Sequence, residues 1–186
     1  SRNIPIRELV KQAENIASEG IKEIVLTGVN TGDFGKSTGE SFFDLIKALN
    51  DVHGIERYRI SSIEPNLLTE EMIDWIASGT KFLPHFHIPL QSGCDTILKE
   101  MGRRYDTAAF EHKIQYIRNK MEGPGKSKVF FGIDVIVGFP GETDELFTET
   151  YNFLKNRLKP SFIHIFPYSR RRGTRAAEMK NQVQES

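Results

Sequence analysis

The sequence has 186 residues, 38% of them hydrophobic and 27% charged, which is enough for one domain with a sizeable core and is typical of a soluble protein. Its 25 basic and 25 acidic side chains cancel, which excludes a uniformly basic coat for nucleic acid but permits a local basic patch. Neither a membrane-spanning apolar run nor a signal peptide is recognisable, so we expect a cytoplasmic protein with no membrane partner.

Helix and strand patterns alternate along the chain. Apolar residues at helical spacing are followed by short apolar runs, and Ser41 and Thr69 stand where N-caps belong. We predict helices over 5–19, 40–52, 70–78, 95–101, about 107–121 and 143–157, and strands over 21–29, 55–63, 85–90, 129–137 and 162–166.

Five strands alternating with helices predict a parallel sheet. A complete barrel of eight units needs about 250 residues, so an incomplete barrel and a doubly wound sheet both remain open. The helix in first place suggests that a strand precedes it. We expect one barrel domain over 1–166 and a loose basic tail over 167–186.

Polar and glycine residues follow the predicted strands. Parallel strands end at one rim, where glycines admit a ligand close to the backbone and amides, hydroxyls and carboxylates can fix it. The rim has little charge, which favours a small zwitterionic cofactor over a polyphosphate. The candidate residues are Gly28, Asn30, Ser62, Glu64, Gln91, Ser92, Asp134, Gly138, Pro140 and Gly141.

Several of these signals have structural alternatives. The turn from Gly138 to Glu142 can be a plain strand-to-helix connection, and Asp134 inside an apolar strand can pair with a neighbour. His85 and His87 share a strand face and could bind a metal, but no third ligand is evident nearby. The lone Cys94 fits a small packed residue better than a nucleophile.

Two further patterns are relevant to phosphate binding. The glycine-rich segment 32–39 lacks the lysine spacing of a P-loop, so we reject nucleotide binding there. The tail has four arginines within six residues, which form either a solvated face or a contact for RNA phosphates. The RNA-binding candidates in this run are Arg170, Arg171 and Arg175.

Taken together, these segments resemble the radical-SAM methylthiotransferases, the MiaB-like family. The loop from Thr27 to Gly35 is most similar to the branch that acts on threonylcarbamoyladenosine beside the tRNA anticodon. The motifs that carry the resemblance are Leu26-Thr-Gly-Val-Asn30, His87-Ile-Pro-Leu-Gln-Ser-Gly93, Asp134-Val-Ile-Val-Gly-Phe-Pro-Gly-Glu-Thr143, and Tyr168-Ser169 with Gly173-Thr174.

The resemblance implies a partial TIM-like (β/α)6 barrel, here lacking its first strand. It implies S-adenosylmethionine (SAM) across the strand ends, with Gly28 and Asn30 near its amino-acid end and Gln91 and Ser92 near its ribose. The strand from Asp134 would line the adenine side. The family uses SAM and 4Fe-4S clusters to methylthiolate an adenosine of tRNA, with a reductant and a sulfur donor as further partners.

The sequence departs from the family in its cysteines. The C-x-x-x-C-x-x-C loop that binds the cluster in the family is absent, and Cys94 is elsewhere. We therefore expect a central-domain fragment that is inactive alone, and we assign it no catalytic residue and no metal ligand. A non-catalytic RNA-binding or scaffolding barrel is the alternative. An exposed edge strand could also pair two copies.

Overall fold

The structure is a computed structural model that describes residues 4–28, 34–35 and 38–183. The chain divides into two compact units, the first made of residues 1–87 and 117–129 and the second of residues 88–116 and 130–186. The elements are α1 (Ile6–Ser18), β1 (Glu23–Leu26), α2 (Phe42–Asn50), β2 (Arg57–Ile60), α3 (Glu70–Ala77), β3 (Phe82–Gln91), α4 (Asp95–Glu100), α5 (Thr107–Met121), β4 (Phe130–Val137), α6 (Asp144–Asn152), a π-helix (Phe153–Leu158), β5 (Phe162–Pro167) and α7 (Arg175–Glu178).

The five strands are parallel, as the alternation of helix and strand predicts, and the structure orders them β1-β2-β3-β4-β5. β1 and β2 pair from Glu23–Arg57 to Leu26–Ile60. β4 and β5 pair from Gly132–Phe162 to Val137–Pro167. The α/β class is therefore confirmed, and the strand ends are the place to look for a ligand site.

In the first unit, local capping and apolar packing explain the elements. Ser41 and Asp44 form a reciprocal capping box at the start of α2, and the Thr69 hydroxyl accepts the Met72 N–H at the start of α3. Both caps are as predicted. The rings of Tyr58 on β2 and Phe82 on β3 stack with centroids 4.9 Å apart, in the core of this unit.

In the second unit, the core forms beneath β4. Alternate residues of the strand, Phe131, Ile133 and Val135, are almost completely buried. Phe139, just after the strand, packs in a cluster with Cys94 and Ile97. One face of β4 therefore packs into the core of this unit, while Asp134 and Ile136 on the other face are only half-buried.

Two predicted elements differ from the structure. The helix predicted over 143–157 is α-helical only to Asn152 and continues as a π-helix, ending at Lys159 with a φ of 47°. The expectation of a loose tail is wrong for its described part: Thr174 caps α7, and Arg170 Nε donates to the Ala177 carbonyl at 2.9 Å. Periodicity cannot reveal a four-residue helix, so this segment looked structureless.

Within the described part of the chain, every helix is too short or too polar to cross a lipid bilayer.

Candidate cofactor-binding site

The first unit contributes the ends of β1 and β2. Gly28 is exposed two residues after β1, and Glu64 is half-buried. Ser62 lies just beyond β2 with a φ of 53°, a left-handed conformation that is uncommon outside glycine. Its neighbours explain why the backbone stays there, because Ser61 N donates to the Leu26 carbonyl and Ile63 N donates to the His87 carbonyl. Asn30 lies outside the described residues.

The second unit contributes the end of β3. Gln91, its last residue, also has a left-handed φ of 74° and is half-buried. The hydroxyl of Tyr105 donates to the carbonyls of Pro89 and Leu90 at 3.0 and 2.9 Å. This bifurcated contact fixes the strand immediately before Gln91, so the amide side chain starts from a well-defined backbone.

Ser92 lies next to Gln91 but is completely buried. Its hydroxyl is 3.1 Å from the Thr150 hydroxyl and accepts the Cys94 N–H at 3.2 Å, while Gly93 N donates to Thr150 Oγ1 at 3.1 Å. These bonds tie the turn after β3 to α6. The Ser92 hydroxyl therefore supports the turn from within and does not face solvent, unlike the ribose contact that the resemblance implies.

The turn after β4 has open space beside its glycine residues. Gly138 and Gly141 have φ values of 74° and 89°, and a Cβ built on either would meet nothing within 4 Å. Pro140 between them is buried. Inside the turn, Glu142 Oε2 accepts the Gly138 N–H at 2.5 Å, and burial raises the pKa of this carboxyl group. A bulky ligand can therefore approach the backbone of both glycines.

Three consecutive strands of the described chain thus end in a left-handed residue: Ser62 after β2, Gln91 at the end of β3 and Gly138 after β4. For the non-glycine residues Ser62 and Gln91 this conformation costs free energy, and such residues cluster at functional sites. The sequence indicates only the glycine, since nothing in the types of Ser62 and Gln91 predicts a positive φ.

Asp134 is not at a strand end. It is the fifth residue of β4, half-buried, with Oδ1 3.3 Å from Nδ1 of His164, its register partner on β5. The sequence left a structural pair and a ligand contact open, and the structure provides the pair. Along the strand, Asp134 lies about 13 Å from Gly138.

The metal reading of His85 finds no support in the first unit. Burial, followed by the charge of Arg59, lowers the pKa of His85. Among the described residues, His85 belongs to no group of three side chains whose ligand atoms converge. His85 is a half-buried imidazole on β3.

A 4Fe-4S cluster does not fit this chain. Such a cluster is bound by several cysteine thiolates, and the sequence has one cysteine. Cys94 is 1% exposed, and burial together with the Glu149 side chain raises its pKa, which disfavours the thiolate that binds iron. Cys94 is a packing residue of the second unit.

The basic segment after β5 is partly engaged. Arg170 donates to the Ala177 carbonyl, and an Arg175 guanidinium nitrogen is 3.8 Å from Glu100 Oε2. Arg170 and Arg172 line a groove of about 410 Å³ together with Gly173. Arg171 and Arg172 are exposed, and so is Arg175, whose side chain is 76% exposed despite its contact with Glu100.

These observations define an α/β protein with parallel strands, and each of its two units has candidate ligand residues at its strand ends. Residues 1–154 match the family model for the radical SAM superfamily, and the chain belongs to that superfamily. Coproporphyrinogen III oxidase (HemN) from Escherichia coli has the same fold, with a TM-score of 0.67 at 16% identity over 97% of this chain and 42% of that one.

Two groups of curated relatives are also similar. The chain is 44% identical over 181 residues to the threonylcarbamoyladenosine tRNA methylthiotransferase MtaB of Bacillus subtilis, covering 96% of this chain and 39% of that protein. It is 38% identical over 186 residues to the tRNA-2-methylthio-N(6)-dimethylallyladenosine synthase of Alkaliphilus oremlandii, covering 99% and 38%. The chain spans about two fifths of the length of these relatives.

Proposed function

We propose that this chain is the SAM-binding part of a tRNA methylthiotransferase that acts on threonylcarbamoyladenosine. The observation that carries the proposal is the 44% identity, over nearly the whole chain, to a relative of that name. The open Gly138–Gly141 turn supports it, because its glycines give the backbone access that a nucleoside cofactor requires.

In this proposal the strand-end residues bind and orient SAM. Gln91 supplies an amide that can both donate and accept hydrogen bonds to a ribose, and Glu64 supplies a carboxylate. Gly28 and the Gly138–Gly141 turn offer backbone without side-chain obstruction. When bound, SAM supplies the radical chemistry of the superfamily, and the residues of this chain position it and exclude water. No residue of this chain is assigned to an iron–sulfur cluster.

Ser92 and Asp134 have different places in this proposal. Ser92 supports the turn that presents Gln91, because its hydroxyl bonds within the second unit. Asp134 lies deeper on β4 beside His164 and is considered below. Phosphates of the tRNA are assigned to Arg171, since Arg170 and Arg175 already contact Ala177 and Glu100.

The experiment is SAM binding to the purified chain, measured by equilibrium dialysis with radiolabelled SAM. We expect Gln91→Ala and Gly138→Val each to weaken binding about tenfold, the effect of about 1.4 kcal/mol. Gly125→Val is the matched control for Gly138→Val, since Gly125 also has a positive φ, 76°, and open space around its Cβ position. Circular dichroism checks that each variant folds.

Unchanged SAM affinity in both site variants would contradict the placement of the cofactor. Absence of SAM binding by the wild-type chain, with RNA binding retained, would favour the non-catalytic RNA-binding alternative. We also expect no 5′-deoxyadenosine above a protein-free control when the chain is incubated with SAM and dithionite, because one cysteine cannot bind the cluster.

A further inference from the structure

One face of β5 presents an alternating row of rings. Phe162, His164 and Phe166 are two residues apart, so their side chains point to the same side of the sheet. The ring centroids of Phe162 and His164 are 4.6 Å apart and those of His164 and Phe166 are 6.1 Å apart, both in edge-to-face geometry. We call these three residues the aromatic row.

The aromatic row is unusually exposed. Phe162 is 49% exposed and Phe166 48%, whereas Phe131 and Phe86 are buried. Two half-exposed phenylalanine rings on one face of a strand are available for a ligand to stack on, and Ile165 on the opposite face is exposed as well.

The neighbouring strand shapes the same face. Gly132, Asp134 and Ile136 of β4 are the register partners of Phe162, His164 and Phe166. Gly132 has no side chain to cover the ring of Phe162. Asp134 adds a half-buried carboxylate that contacts His164. The face thus combines flat apolar rings with one strong hydrogen-bond acceptor.

We propose that the aromatic row binds an adenine base of single-stranded RNA, by stacking on Phe162 or Phe166, with Asp134 accepting from the exocyclic amine. Aromatic residues at alternate positions of an exposed strand are an established way to stack unpaired bases. A carboxylate accepts hydrogen bonds and cannot donate them when ionised, which selects a base that presents an amino group.

Charge complementarity favours RNA over an apolar partner. The exposed Arg171 and Arg172 follow Phe166 by five and six residues, in the same unit of the chain. At full extension five residues span about 17 Å, so the guanidinium groups lie within reach of phosphates that flank a stacked base. This inference rests on the proposed function and extends that function by naming the residues that would contact the RNA base.

The test is fluorescence anisotropy with two labelled probes of equal charge, an RNA octamer of adenosine and an abasic octamer. We expect the wild-type chain to prefer the adenosine octamer about tenfold or more, since each stacked base contributes about 1–3 kcal/mol. In the double variant Phe162→Leu/Phe166→Leu the preference should fall nearly to one. Arg171→Ala should weaken binding of both probes by a similar factor.

Phe147→Leu is the matched control, because Phe147 is 45% exposed in the same unit but lies on α6. An unchanged preference in the double variant, or an equal loss in Phe147→Leu, would overturn the proposal. A wild-type chain that shows no base preference would also overturn the proposal, even if the cause is a dimer that covers the aromatic row.

A second measurement does not require a folded variant. An adenosine octamer with one central 4-thiouridine is cross-linked to the wild-type chain by light, and the modified peptide is identified by mass spectrometry. We expect cross-links at residues 162–166, and cross-links confined to other segments would contradict the assignment. SAM dialysis is independent of both assays, so failure of the aromatic row is distinguishable from failure of the cofactor proposal.

Discussion

Glu142 Oε2 accepts a hydrogen bond of 2.5 Å from the backbone N–H of Gly138, across the turn that follows β4. Oε1 of the same carboxyl group is buried and has no hydrogen-bond partner among the described residues. One oxygen therefore fixes the left-handed Gly138, while the other is desolvated without compensation. The turn therefore holds the open backbone of the candidate site in place, and the cost is one carboxylate oxygen buried without a hydrogen bond.

The first prediction concerns the pH dependence of stability. Burial raises the pKa of Glu142 in the folded chain above its ordinary value of 4.5, so the folded state binds the proton more tightly than the unfolded state. The stabilising contribution of Glu142 is thus complete below pH 4.5 and is lost as pH rises through the folded-state pKa. Glu142→Gln has no such titration.

We therefore expect the stability of Glu142→Gln, relative to wild type, to improve between pH 4.5 and pH 8. Urea unfolding at both pH values measures this difference. Glu142→Ala, which removes the Gly138 contact, should lose about 1–3 kcal/mol. A constant difference between Glu142→Gln and wild type across this range would contradict the argument.

The second prediction concerns the buried hydroxyl of Thr150. It accepts the Gly93 N–H and contacts the Ser92 hydroxyl, both at 3.1 Å. Thr150→Val preserves shape but leaves these groups unpaired, so we expect a loss of about 1–3 kcal/mol in urea unfolding. Thr150→Ser, which keeps the hydroxyl, should lose less. If Thr150→Ser is the more destabilised variant, packing and not hydrogen bonding dominates the site.

The third prediction concerns the space around Gly93. A Cβ at this position would lie 3.0 Å from Thr150 Cα and 3.0 Å from Phe153 Cδ1, so these neighbours must move by a few tenths of an ångström to admit it. We expect Gly93→Ala to destabilise the chain by about 1–3 kcal/mol in urea unfolding. Gly123→Ala is the control, because nothing lies within 4 Å of its Cβ position. Equal stability of the two variants would contradict the close approach.

The sequence predicts the helices better than the site. Ser41 and Thr69 both cap helices as expected, because capping depends on side chains and backbone groups three residues apart. The parallel direction of the strands follows from the alternation of elements. These features are local or topological, so the sequence alone contains the information needed to predict them.

The geometry of the site depends on contacts that are distant in sequence. The burial of Ser92 depends on Thr150, which lies 58 residues further along the chain. The left-handed Ser62 depends on pairing of its neighbours with Leu26 and His87. Reading strand ends as a row of ligand groups cannot distinguish an exposed amide from a hydroxyl that supports the turn internally, as Ser92 does.

The fourth prediction concerns Tyr58. Its ring stacks on Phe82, its hydroxyl has no partner among the described residues, and burial raises its pKa to about 12. Because the folded-state pKa exceeds the ordinary 10.0, the contribution of Tyr58 to stability is complete below pH 10 and is lost as pH rises toward 12. Tyr58→Phe should match wild type at pH 7 within about 1 kcal/mol.

Urea unfolding at pH 7 and pH 10.5 tests this, and the variant should gain relative to wild type at the higher pH. Tyr116→Phe serves as a control for general alkaline effects, since Tyr116 lies on α5 and is only half-buried. A large loss in Tyr58→Phe at pH 7 would instead reveal a hydrogen bond to the hydroxyl.

The fifth prediction uses the single cysteine as a probe of the second unit. Cys94 is 1% exposed, and burial raises its pKa, so both access and thiolate formation oppose reaction with a disulfide reagent. Labelling requires local opening, and an opening free energy of about 3 kcal/mol would slow it roughly a hundredfold relative to the unfolded chain. Ellman's reagent measures both rates directly, because the sequence has no other thiol.

Thr150→Val should accelerate labelling by loosening the turn that precedes α4, whereas Gly123→Ala should not. Fast labelling of the native wild-type chain would show that the Cys94, Ile97 and Phe139 cluster is open in solution, and the support that Ser92 gives to Gln91 would then be lost with it.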